Sequence, residues 1–555
     1  MSQASTPLPP DYYLRNFQTL LEQVQRQYED LLLPQERRLC ELFPTLCKDA
    51  RKLYVRLLTR KGEVFRSSRL RYAEIRSSKK AARELAEYGL ITIDPALPPE
   101  QLLPLWSRQE WLIRLEDMGL PTRGLASLKR AELDLALTEC LAPNGDTKLP
   151  VETVRRIAGE PIYQLLNPEL FPVFKLLFFG NPYQDMTEFV LRDLGLYRFE
   201  SYRLDRDTRL FRCRAQIDAH LACHALAEQL EAVLLEDRDT MLAFARNLPP
   251  LPEDDPHLSR RLQKLTYALA RQLERLGHLQ EALDLYRDLT LPDAQERQVR
   301  VLVKLGKEAE ALQLCRERLP ERDDTQHFAW SFGRRLARSL ACDWPQRSAG
   351  KPQVEQLQLE FTGDSVEFVV AEHLATRGEC HYVENALLNS LFGLHYWPVI
   401  FAPVPGAFSH PFQHAPHDLH QSEFTLLRKD LLEERHAAVP LMRDNVAHYQ
   451  QLWRDRFGCL NPFVYWQALD EALIAKALER IPPEHWQAVF RRFWQDLKNH
   501  CSGLPDLILF PEEGGYELIE VKGPGDRLQL NQKAWMEYFA AHGIPHRVVQ
   551  VSWAE

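Results

Sequence analysis

Residues 503–527 constrain the fold more than any other stretch: G-L-P-D-L-I-L-F, then P-E-E-G-G, then Y-E-L-I-E-V-K-G-P-G-D-R. Leu504 and residues 507–510 make a short apolar run. Residues 511–515 supply turn chemistry, and the Gly514–Gly515 pair accepts positive φ. Residues 516–521 make a second run that contains β-branched Ile519 and Val521. Two such runs around a tight turn predict a β-hairpin with mostly buried strands. Asp506, Glu520 and Lys522 do not belong on buried strands without compensation, because an unpaired charge there costs several kcal/mol. A structural ion pair accounts for two of these charges. It does not easily account for two carboxylates and a lysine at neighbouring strand ends.

A divalent cation accounts for all three. Carboxylate oxygens suit hard ions such as Mg²⁺, which keeps waters for chemistry. Glu520 and Lys522 are two apart on a strand, so they share a face. Val521 points away, and its backbone carbonyl lies between them as a further ligand. This is the P-D…E-x-K arrangement of metal-dependent nucleases, a weak signal as a bare pattern and a stronger one on a hairpin. Helical periodicity over residues 531–541 and a strand over residues 546–552 follow.

The run E-V-K-G-P-G-D-R-L-Q-L-N-Q-K-A-W, with Gln532 and Trp535, resembles the virus-type replication-repair nuclease domain, a restriction-endonuclease-like α/β fold. The rest of the chain resembles the Fanconi-associated nucleases, in a form without an amino-terminal ubiquitin-binding finger. The resemblance implies that Asp506, Glu520, the Val521 carbonyl and Glu384 hold one or two Mg²⁺ or Mn²⁺ ions. Lys522 then orients the attacking water, and Asp526, Arg527 and Gln532 support the site or contact phosphate. It also implies 5′-flap endonuclease and 5′→3′ exonuclease activity in DNA interstrand crosslink repair, with branched DNA and repair proteins as partners. The residues themselves support metal-dependent cleavage and a basic DNA platform. Two other uses of the same parts stay open: a Holliday-junction resolvase, which the long amino-terminal arm disfavours, and a non-catalytic repair scaffold.

Glu384 lies in G-E-C-H-Y-V-E-N-A-L-L-N-S-L, where helical spacing resumes from Asn385. The family it resembles usually has a small residue on each side of this glutamate, and here Val383 and Asn385 stand in those places. A plain alternative is a helix-terminal charge favoured by the macrodipole, and Glu372 and Glu379 are the other candidate ligands. Upstream, residues 354–361 read as a strand. Asp364 reads as the N-cap of a helix from Ser365 to about Thr376.

At 555 residues the chain is too long for one core. The expected architecture is multidomain and mostly α. Residues 1–10 read as disordered, 11–141 as a winged-helix and SAP-like DNA-binding region, 150–343 as tetratricopeptide-like helical repeats, and 353–555 as the nuclease domain. No run of about 18 apolar residues predicts a membrane span. The first ten residues lack a secretory pattern. Ten cysteines without a close pair such as C-x-x-C fit reduced thiols, in a bacterial cytoplasm and nucleoid or a eukaryotic nucleus.

The formal charge of −9 hides a segregated platform. Residues 51–83 carry twelve Lys or Arg against Glu63 and Glu74, a net +10 that leaves −19 for the remainder. Local basic footprints set phosphate affinity. This segment reads helix, basic turn, helix, then a wing strand within residues 89–93. Arg56, Arg60, Arg66, Arg69 and Arg71, with Ser67 and Ser68, are the candidate phosphate contacts. A G-L-P-T-R-G turn between two short helices resembles a SAP-type pair and adds Arg123, Lys129 and Arg130. An amphipathic helix starts at Tyr12, and Pro34 is expected to end or kink it.

Residues 161–202 are apolar and aromatic and read as core. Residues 217–340 read as helices with an internal repeat, L-G-H-L-Q-E-A-L-D-L-Y at 276–286 and L-G-K-E-A-E-A-L-Q-L-C at 305–315. His410, His414, His417 and His420 tempt a zinc assignment. Pro411 and Pro416 break the segment into loop and no cysteine is near, so a metal site is not expected there. Residues 424–497 read as helices packed on the nuclease sheet, with Arg491 and Arg492 beside the DNA approach.

Overall fold

The computed structural model describes residues 9–120, 122–142, 147–184, 189, 197–319, 324–345, 352–421 and 423–554. The expected disorder of residues 1–10 and the linkers at 142–149 and 344–352 fall wholly or partly outside these residues. The chain divides into two compact units, residues 1–196 with 205–217, and residues 197–204 with 218–555.

In the first unit the opening amphipathic helix spans Tyr12–Tyr28 and buries Phe17, Leu20, Leu21 and Val24. Pro34 does not end it. It is the first residue of the next helix, Pro34–Leu42, where a missing N–H costs nothing because that donor has no helical partner. The helix Lys48–Leu58, strand β1 (Val64–Arg66), helix Ser78–Glu87 and strand β2 (Ile91–Ile93) give the expected winged-helix order. The central strand of its sheet is β3 (Ile162–Leu165), which pairs antiparallel with both β1 and β2. The apolar stretch that begins at Pro161 therefore completes the wing. Between β2 and β3 lie the helices Arg108–Asp117 and Arg130–Leu141. Ser107 caps the first, accepting from Glu110 N, while Glu110 accepts from Ser107 N.

In the second unit the repeat resolves into two helix pairs, Pro256–Arg275 with Leu279–Arg287 and Pro292–Lys304 with Glu308–Arg318. Gly277 and Gly306 break each pair at φ +88° and +73°. The matching E-A-L segments place Ala282, Leu283, Ala311 and Leu312 in one core. This explains the repeat as packing.

The carboxyl-terminal part is a five-stranded mixed sheet in the order β4 (Val354–Leu359), β8 (His546–Trp553), β7 (Glu517–Lys522), β6 (Leu507–Pro511), β5 (Gly378–Tyr382). The two β8 pairings are parallel, and the β5–β6 and β6–β7 pairings are antiparallel. The parallel step from β7 to β8 is bridged by the helix Leu530–Ala541. Both faces of the hairpin are covered, which is why its strands read as continuous apolar runs. Leu507, Leu509, Ile519 and Val521 face Val370 and Leu374 of the helix Val366–Leu374. Ile508, Phe510 and Leu518 face the core built with Phe490, Phe493 and Trp535. Ser365, not Asp364, caps the helix Val366–Leu374, its hydroxyl accepting from Phe368 N. Asp364 instead accepts from the Thr362 hydroxyl.

In the four-histidine loop His410 and His417 belong to packed polar structure, while His414 and His420 are exposed. His410 is buried, His417 Nε2 lies 2.9 Å from Ser409 Oγ, and Gln413 Oε1 accepts the amides of Ser409 and His410. Burial pulls His417 down to about 3, so it serves as a neutral ring.

Candidate active site

The hairpin register fixes the acidic pair. Leu507 faces Ile519 across β6 and β7, so one step further Asp506 stands opposite Glu520. Opposed residues of an antiparallel pair have Cβ atoms about 5 Å apart. The backbone reinforces the approach, because Val521 N donates to Asp506 Oδ2 at 2.7 Å. Alternation puts Glu520 and Lys522 on the face covered by the helix Leu530–Ala541. That helix brings Gln532, whose Nε2 donates to Glu520 Oε1. Lys522 Nζ lies 2.7 Å from the same oxygen.

The site is dry. Glu520 is 0% exposed and Asp506 8%. Burial raises Asp506 to about 6, against the lowering bond from Val521 N. Burial, then the Asp506 charge, raises Glu520 to about 7, although Lys522 opposes both. One lysine does not neutralise the pair. Glu520 Oε2 is buried and makes no hydrogen bond within the protein, so its lone pairs are open to a partner the protein does not supply. Two desolvated carboxyls with an orphaned oxygen fit a hard divalent cation. Among the described residues, no three metal-ligating side chains converge in this conformation.

Glu384 is exposed in the turn between β5 and the helix Leu387–His395. The preceding amide, Val383 N, donates to Asp506 O at 2.8 Å, and the Glu384 charge raises both Asp506 and Glu520. Glu372 and Glu379 are not among the main influences on either carboxyl, and Glu379 is paired with Lys476. Glu367 was not anticipated. It lies in the first turn of the helix Val366–Leu374, and its charge also raises Asp506. Its position just after a strand and a Ser cap, ahead of the hairpin in sequence, was the available signal. Asp526 Oδ2 accepts from Gly523 N at 3.2 Å and shapes the turn after β7, while Arg527 is exposed beside it.

In the basic segment the structure separates two groups. Arg66 bonds Glu110 at 2.7 Å and Glu160 at 2.9 Å, with its side chain 11% exposed. Glu160 also accepts from the Ser67 and Ser68 hydroxyls and from Ser68 N. Arg56 bonds Glu74 at 2.6 Å and stacks on Tyr13. These groups are spent on the fold in this conformation, so the expected phosphate contacts at Arg56, Arg66, Ser67 and Ser68 are not offered by it. Arg60, Arg69, Arg71, Arg123 and Lys129 are exposed, although Arg60 donates to the Tyr72 hydroxyl at 2.8 Å and Arg69 reaches Glu110 at 3.5 Å. Arg491 is exposed, whereas Arg492 is buried over the rings of Trp535 and Tyr538, so it packs the core instead of lining an approach.

Residues 445–553 match the VRR-NUC domain, and residues 11–92 match the HTH domain of FAN1. The Fanconi-associated nuclease 1 homolog of Pseudomonas aeruginosa is 37% identical over 99% of this chain and 99% of its own length. The chain belongs to the Fanconi-associated nuclease family. A homolog from Arabidopsis thaliana is 26% identical over 99% of this chain and 68% of that protein. Solved structures of paFAN1 bound to 2-nucleotide and 1-nucleotide 5′-flap DNA with a gap match with TM-scores of 0.78 and 0.77. Both are 36% identical and cover 99% of this chain and 100% of those. As a Fanconi-associated nuclease the chain is a DNA nuclease, and divalent-metal dependence goes with its nuclease domain. No helix among the described residues is long and apolar enough to cross a membrane, and all ten cysteines are free thiols.

Proposed function

We propose that this chain cuts branched duplex DNA near a 5′ flap, by phosphodiester hydrolysis at the Asp506–Glu520 pair. The observation that carries the proposal is the orphaned, fully buried Oε2 of Glu520 opposite a second desolvated carboxyl. The flap-bound relative supports the substrate class. Asp506, Glu520 and the Val521 carbonyl, with Glu384, are the groups that would hold Mg²⁺ or Mn²⁺. When bound, such an ion neutralises phosphate charge and lowers the pKa of water. Lys522 is held by Glu520 at the open end of β7. From there its ammonium would donate to the attacking water and to the phosphoryl oxygens on which negative charge builds. Gln532 fixes the Glu520 rotamer from the facing helix. The exclusion of water strengthens each of these interactions. Arg60, Arg69, Arg71, Arg123 and Lys129 would hold the duplex backbone without reading sequence, and Arg527 would contact phosphate near the cut.

Labelled 5′-flap, four-way-junction and single-stranded DNA, each incubated with Mn²⁺, test the proposal. Preferred cutting of the flap supports it. Symmetric junction cutting would favour a resolvase, and no cutting a scaffold. Cleavage retained by Asp506→Ala would remove the site assignment.

A further inference from the structure

A carboxylate on an exposed turn samples several rotamers, and a metal ligand acts best when its neighbours lock one of them. Glu384 is such a carboxylate, yet both of its oxygens are engaged. The Tyr382 hydroxyl donates to Oε2 at 2.5 Å, and Asn385 Nδ2 lies 3.4 Å from Oε1. Both neighbours are tied to the segment that carries Asp506. Tyr382 ends β5 opposite Leu507, and the next amide, Val383 N, donates to Asp506 O at 2.8 Å. Asn385 Oδ1 accepts from Leu504 N at 3.1 Å, two residues before Asp506. Asn385 also holds φ at +50°, a left-handed conformation that Asn tolerates better than most side chains. The Tyr382 ring is 56% exposed, so its hydroxyl is not needed to satisfy a buried core.

We infer that Tyr382 and Asn385 are positioning residues that clamp Glu384 in the orientation in which it serves as a cation ligand beside Asp506 and Glu520. This gives a role to Asn385, which stands where small residues are usual. The inference rests on the assignment of Glu384 as a ligand.

Three full-length variants test it. Tyr382→Phe removes one oxygen from an exposed ring. Asn385→Gly removes the amide at a φ that glycine adopts freely. Glu384→Ala removes the ligand. Mn²⁺ is titrated calorimetrically into each metal-free protein without DNA, and flap cleavage is then followed against Mn²⁺. Both clamp variants should bind Mn²⁺ about 10-fold more weakly, the range for lost outer-shell partners. They should recover wild-type turnover at saturating Mn²⁺, and Tyr382→Phe should melt with the wild type in metal-free buffer. Unchanged or tighter Mn²⁺ binding by Tyr382→Phe, or a turnover loss that Mn²⁺ does not restore, would overturn the clamp. If Glu384→Ala binds Mn²⁺ like the wild type, the ligand assignment itself fails. If Glu384→Ala weakens binding and Tyr382→Phe does not, only the clamp fails.

Discussion

Binding of a divalent cation to this protein should expel protons in a narrow, calculable window. Asp506 is raised to about 6 and Glu520 to about 7, in both cases chiefly by burial. Both folded values lie above the ordinary carboxylate values of 3.8 and 4.5. The sign follows. The stability these neutral carboxyls contribute is fully present below about pH 4 and is lost as pH rises through 6 to 7. Each shift is worth about 3 kcal/mol, and because part of it is mutual repulsion the two do not add in full. A bound cation cancels that cost. At about pH 6.5 roughly a quarter of Asp506 and three quarters of Glu520 carry a proton, so one Mn²⁺ should displace about one proton; at about pH 8 it should displace about a tenth. Calorimetric titration of Mn²⁺ in buffers of different ionisation enthalpy reads this number directly. Affinity should climb steeply up to about pH 6, where both carboxyls must give up protons, more slowly to about pH 7, and level off above about pH 7.5. Buffer-independent heats at about pH 6.5, with flat affinity across that range, would refute the picture of a desolvated acidic pair.

Lys522→Met should lower turnover by about 100-fold while retaining Mn²⁺ binding. It should also move that binding to higher pH, because Lys522 is what holds Glu520 down; single-turnover cleavage and the calorimetric pH profile check both. Replacing Arg60, Arg69 and Arg71 together by Ala should weaken duplex binding and lower the slope of log affinity against log salt by up to about 3, since each phosphate contact contributes about 0.9. Turnover at saturating DNA should hold. Arg66→Ala should behave differently. It removes the shared cation from Glu110 and Glu160, which keep their bonds to Ser107 N and to Ser67 and Ser68, and should destabilise the first unit by about 1–2 kcal/mol, read by denaturant melting. Leu283→Ala, in the fully buried repeat core, should cost about 3 kcal/mol and loosen the helix pair without changing Mn²⁺ affinity.

What was legible in the sequence was local. Two short apolar runs around P-E-E-G-G marked the hairpin and put Asp506 and Glu520 at neighbouring strand ends, while the structure supplied the register that sets them opposite each other. The E-A-L copies 29 residues apart marked the repeat core. The resemblance singled out Gln532, the amide that reaches Glu520. What escaped depended on distant partners. The strand Ile162–Leu165 completes a sheet begun about a hundred residues earlier, and no periodicity announces such a pairing. Arg66 reads as a phosphate contact until Glu160, far along the chain, is seen to occupy it. Pro34 reads as a stop and serves as a start, because its local rules suit either end of a break. Glu367 carries no motif of its own and matters only because a helix docks on the sheet beside Asp506.

The most direct test of the central claim is anomalous diffraction at the manganese edge from crystals of this protein soaked in Mn²⁺. The account predicts a peak between the Asp506 and Glu520 carboxylates and the Val521 carbonyl, with Glu520 Oε2 turned onto the ion. A rim without a peak, with Lys522 and Gln532 alone still holding Glu520, would contradict it.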